Sequence, residues 1–161
     1  METNDLSFIP GADMGEDMQF VLKAFASATN VIQLHEVLYL YNTANPASIS
    51  SVLSEKRRKE MSINLCEMES FFRKSQYSEL FNRLYPQLLL YIKRPLLIGT
   101  SIANYRIWTS WFPETNSKAG SYRVLPFHTR LLQTLACHRM YILVWLYNII
   151  VYKFLYLFLF R

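Results

Sequence analysis

The sequence predicts an all-α fold: a small helical domain, bundle-like or built as helical repeats, followed by a C-terminal hydrophobic helix long enough to be transmembrane. Three observations carry that expectation. Apolar residues recur at three- and four-residue spacing through residues 15–112. Only four glycines occur in 161 residues, too few for a turn-rich sandwich or barrel. The last twenty-odd residues are almost continuously apolar. Hydrophobic residues make up 52% of the chain and aromatics 16%, enough to fill a core and to exclude a globally disordered chain.

Residues 1–14, with Pro10, Gly11 and scattered acids, read as a flexible acidic arm. A helix is predicted from Glu16, whose first turn is acidic, where the helix dipole favours negative charge. Phe20, Ala24, Ala28, Val31, His35 and Leu38 fall near one face of it. On that face His35 reads as a core histidine rather than a catalyst. The run Val37 to Tyr41 is also strand-like, and Asn42 to Pro46 ends the element. Asn45-Pro46 then offers a side-chain acceptor at N-cap and proline at the first helical position.

The helix that follows is predicted to run to about Lys74. Met61, Leu65, Met68 and Phe72 step by four, three and four along it, a coiled-coil-like seam for packing on another helix. Cys66, beside that seam, reads as a small buried residue. Ser75 or Ser78 is placed to cap the next helix, which carries Leu80, Phe81, Leu84, Leu88 and Ile92. Pro86 inside it implies either a kink or two short helices. Arg94-Pro95 stops it, and an apolar segment from Leu96 to Phe112 closes the helical domain, residues 15–112. Residues 113–123, from Pro113 through Gly120, have linker composition.

Charge changes sign along the chain. Residues 1–36 hold six carboxylates against Lys23 alone, whereas the 47 residues after Glu114 hold six basic side chains and no carboxylate. Within that basic-flanked tail, 124–161, residues 140–160 form a candidate transmembrane span. As a helix it is about 31 Å long, matching a bilayer core. Thirteen of its 21 residues are Leu, Ile, Val or Phe, which supply about −4 to −8 kcal/mol of insertion free energy. Lys153 opposes this, but it lies toward the far end and can snorkel. Arg130, His138 and Arg139 precede the span and would keep the N-terminal domain cytosolic, the geometry of a tail anchor. Two other readings remain open: a buried helix or strand pair in a larger assembly, and an extension from an alternative transcript. Tyr141, Trp145, Asn148, Tyr152 and Tyr156 line one polar-aromatic stripe of the span, a candidate face for self-association in the membrane.

The densest charge run, Lys56, Arg57, Arg58 and Lys59, is a candidate contact for a partner or for nucleic acid. Four consecutive basic residues point all round a helix, and Glu55 and Glu60 flank them, so a solvated turn is the competing reading. His128, Cys137 and His138 lack the second short-spaced pair that a zinc site needs, so no metal or other cofactor is expected. Nucleophile elbow, phosphate loop, dinucleotide fingerprint and zincin helix are all missing from the sequence, and no catalytic residue is assigned. Glu67 and Glu69, two apart, point to different faces and make no acid–base pair.

Two cysteines cannot build a disulfide scaffold, and no N-glycosylation sequon or N-terminal signal peptide is found, so residence on the cytosolic side is expected. The functional expectation is a non-enzymatic helical module that binds a protein partner, tail-anchored at the cytosolic face of an intracellular membrane. The alternative is a soluble nuclear protein, or a truncated form of a longer helical protein, contacting nucleic acid or a nuclear partner through Lys56–Lys59.

Overall fold

The computed structural model describes residues 6–40, 53–122 and 125–151. Among them the chain is all-helical, with six α-helices and no strand. Two compact units divide at Phe81 and Asn82.

Unit 1 is built on α1 (Glu16–Ser27) and α2 (Glu55–Arg73), which pack on each other. Gly15 precedes α1 at φ 83°, and a Cβ there would lie 2.6 Å from the Met61 sulfur. The positive φ favours glycine here, and any side chain would also have to displace the end of Met61. Ser54 caps α2, its hydroxyl accepting from the Arg57 amide at 3.4 Å. Met61, Leu65, Met68 and Phe72 are all buried, each adding about 2 kcal/mol of apolar transfer. Asn64, also buried on α2, donates to the carbonyls of Ala12 (2.7 Å) and Met14 (3.0 Å) and so pins the segment leading into α1.

Three expectations in this unit need correction. The first helix ends at Ser27, and 28–40 carry no helix although periodicity extended it through Leu38. Thr29, Val31 and Ile32 are β-branched and disfavour helix, and Val31, Leu34 and Leu38 are exposed, so no packing rescues the propensity. His35 is accordingly exposed and is no core histidine. Cys66 is exposed as well, because it lies one residue, about 100°, off the seam. The Asn45-Pro46 helix start and the end of the first element at 42–46 lie outside the described residues.

Unit 2 holds the C-terminal part of α3 (Ser78–Ile92), a 3₁₀ turn (Arg94–Leu97), α4 (Ile102–Ser110), a second 3₁₀ turn (Pro113–Lys118), α5 (Phe127–Cys137) and α6 (Tyr141–Ile150). The α3 helix passes through Pro86 as one helix, and the Ser75 hydroxyl accepts from the Tyr77 amide just before it. Ser101 caps α4 by accepting from Asn104. The core gathers Leu96, Leu97, Tyr105, Trp108, Leu132, Ala136 and Val144. Gln133 donates from α5 to the Leu90 carbonyl at 3.1 Å, tying α5 to the end of α3.

The expected linker at 113–123 is partly ordered into this unit. Thr115 is buried, and the Asn116 amide donates to the Thr109 carbonyl at 2.7 Å. The basic-flanked tail is likewise no separate appendage over its described length, since α5 and α6 pack on α4 and on each other. No helix among the described residues is long and apolar enough to cross a membrane. The expected span is represented by the ten-residue α6, and 152–160 lie outside the described residues.

Candidate functional site

The side chains singled out in the tail now have positions. Tyr141, Trp145 and Asn148 lie on the face of α6 that packs into unit 2, with Val144 fully buried between them. The Asn148 amide nitrogen lies 2.9 Å from the Leu97 carbonyl, 3.2 Å from the Tyr105 hydroxyl and 3.0 Å from the Val144 carbonyl. Tyr141 donates its hydroxyl proton to Thr109 at 3.0 Å. The described part of the polar-aromatic stripe is therefore an intramolecular seam. Asn148 satisfies inside its own unit the polar demand that was expected to drive self-association. Tyr152 and Tyr156 lie outside the described residues.

The opposite face of α6 faces solvent with apolar side chains. Ile142, Leu146 and Ile150, at spacings of four, are 68%, 41% and 55% exposed, and Leu143 and Met140 are exposed beside them. An exposed apolar ridge of that kind is unusual on a soluble surface. Arg139, exposed and held in the left-handed region at φ 57°, stands at the N-terminal end of the ridge.

On the inner side of α6 lies a pocket of about 200 Å³, walled by the Arg94–Leu97 turn, α5 and α6. Arg94 and His128 bring basic groups to it, and among the described residues no carboxylate lines it.

Lys93 is the most unusual titratable residue, and the sequence offers no sign of it. It is completely buried at the end of α3. Its ammonium lies 2.6 Å from Asn116 Oδ1, 3.3 Å from Thr115 Oγ1 and 3.4 Å from the Phe112 carbonyl, and 4.1 Å from the centre of the Trp108 ring. Three acceptors match its three protons, and the indole face supplies a cation–π contact. Burial pushes its pKa down to about 8, a fall partly offset by Glu114 and Cys137 nearby. An amine of that pKa is intrinsically nucleophilic, but this one is sealed from solvent and spends all its protons on the Phe112–Asn116 turn. Its bonds clamp that turn to the end of α3.

The basic run lies in the first turn of α2 and is largely paired. Lys59 meets Glu55 at 2.8 Å, Lys56 meets Glu60 at 3.5 Å, and Arg58 donates to the Leu53 carbonyl at 2.8 Å. Lys59 also holds the Glu55 carboxyl below its ordinary pKa. His128 and Cys137 sit on α5 and His138 directly follows it, and among the described residues no three metal-ligating side chains converge.

Comparisons with protein-family models, with curated proteins and with solved structures find no match.

Proposed function

We propose that this chain is a non-enzymatic helical interaction module that attaches to the cytosolic surface of a membrane through unit 2. The observation that carries the reading is the exposed ridge Ile142, Leu143, Leu146 and Ile150 on α6. It lies in a stretch of chain that holds six basic residues and no acidic one after Glu114. An apolar helical ridge flanked by positive charge is the chemistry of a helix lying in the interface of an anionic bilayer. The sequence 152–160 is itself predominantly apolar.

Surface attachment is favoured over a single span across 140–160. A span would have to withdraw Val144 and Asn148 from the interior of unit 2, exposing the Leu97 carbonyl that Asn148 satisfies. Lying on the bilayer needs no such rearrangement, because the ridge already points outward. A protein partner for the helical surface remains part of this reading. The alternative contact with nucleic acid is disfavoured by the carboxylates that pair with Lys56 and Lys59.

The test is flotation of the full chain with vesicles. Binding is expected to vesicles containing about a third anionic lipid and to be weak on neutral ones, with release by alkaline carbonate. Leu146→Asp, at an exposed position, should abolish flotation while leaving the melting temperature unchanged. Equal recovery of parent and variant with the vesicles, or no flotation of the parent, would overturn the proposal. Carbonate-resistant association would restore the spanning tail anchor.

A further inference from the structure

We infer that the pocket between the Arg94–Leu97 turn, α5 and α6 is a binding site for an amphiphilic carboxylate with a hydrocarbon portion of about eight carbons. The inference does not depend on membrane attachment.

The walls divide by chemistry. Leu97, Ile98, Leu132 and Val151 supply an apolar lining, while Arg94 and His128 bring the basic groups. Among the described residues no carboxylate lines the cavity and none forms an ion pair with Arg94. An Arg with no carboxylate partner beside an apolar pocket selects a planar anion, which it can grip with two parallel hydrogen bonds. His128, also in the lining, offers a second polar group.

Size sets the rest of the ligand. An apolar cavity of about 150 Å³ accommodates the six carbons of benzene, so about 200 Å³ corresponds to roughly eight. The site is also preorganised. Asn148, which lines it, is held by bonds to the Leu97 carbonyl and the Tyr105 hydroxyl, so its wall does not have to be ordered by the ligand. Tyr105 in turn donates to the Gly99 carbonyl, which braces the loop behind the same wall.

Octanoate is the probe, with octanol and octyltrimethylammonium as neutral and cationic counterparts, each titrated into the full chain by calorimetry. Saturable binding of one octanoate is expected, with octanol at least tenfold weaker and the cation not binding. Arg94→Gln should weaken octanoate about tenfold and leave octanol unchanged, since a charge-assisted pair is lost while the apolar walls remain. Ile98→Trp, which fills the pocket from an exposed edge, should abolish both. Its melting temperature serves to show that the fold persists. Octanol binding as tightly as octanoate, or Arg94→Gln leaving octanoate unchanged, would refute anion recognition. An absence of saturable octanoate binding would remove the site altogether. Vesicle flotation that survives Arg94→Gln and Ile98→Trp separates this result from the fate of the ridge.

Discussion

Lys93 carries a cost that solution pH should relieve. Its pKa is about 8 in the folded chain, against 10.5 for an ordinary lysine. The unfolded chain therefore binds more protons than the folded one between those values, and stability rises with pH across that window. Below pH 8 both states are protonated, and the burial of the charge costs about 3 kcal/mol relative to water, at 1.36 kcal/mol per pKa unit. Raising the pH from 8 to 9.5 should return about 1.5 kcal/mol of this. For a unit of this size that corresponds to about 6–12 °C in melting temperature. Other groups titrate in the same range, so the decisive quantity is the difference between the parent and Lys93→Met. Methionine keeps the apolar stem over Trp108 and removes the charge, at a net effect within about 1 kcal/mol near neutrality. Melts of both proteins followed by the near-ultraviolet signal of the buried tryptophan, at pH 8, 8.75 and 9.5, measure it. The parent should gain on the variant by the stated amount. Parallel curves would mean that the amine does not titrate inside the fold, and the clamp would then be misassigned.

Three further outcomes are expected. Leu65→Asp puts an unpaired carboxylate at a fully buried position of α2 and should cost at least about 4 kcal/mol, enough to unfold unit 1. Loss of helical circular dichroism in the variant checks it, and a parent-like melt would show the seam to be exposed. Asn148→Leu leaves the Leu97 carbonyl without its donor and should destabilise unit 2 by about 2 kcal/mol, read in urea unfolding. An unchanged or raised midpoint would instead suit a lipid-facing Asn148. Replacing Lys59 by alanine breaks only its exposed ion pair with Glu55 and should shift stability by less than about 1 kcal/mol. A larger shift in thermal melting would show that the turn is part of the packing.

Much of what is local in this protein was legible from residue order. The acidic first turn of α1 at Glu16 and Asp17 is readable because the helix dipole acts on residues adjacent in sequence. The Met61–Phe72 seam is readable because helical geometry alone brings those four side chains to one face. The caps at Ser54 and Ser101 are not singled out by the sequence, since an isolated serine carries no signal that distinguishes it from other serines, and the Asn45-Pro46 start lies outside the described residues.

Tertiary structure decided what depended on partners far along the chain. The continuation of α1 past Ser27 needed a surface to cover Val31 and Leu38, and none of the described residues covers them. Lys93 owes its burial to acceptors 19 to 23 residues later, on a stretch whose composition resembles a linker. Asn148 owes its position to Leu97, 51 residues earlier. Hydrophobicity along α6 registers only that its side chains avoid water, and a protein interior and a lipid layer satisfy that demand equally well. The two faces of the helix were told apart by the long-range hydrogen bonds that turn Asn148 inward and leave Ile142, Leu146 and Ile150 outside.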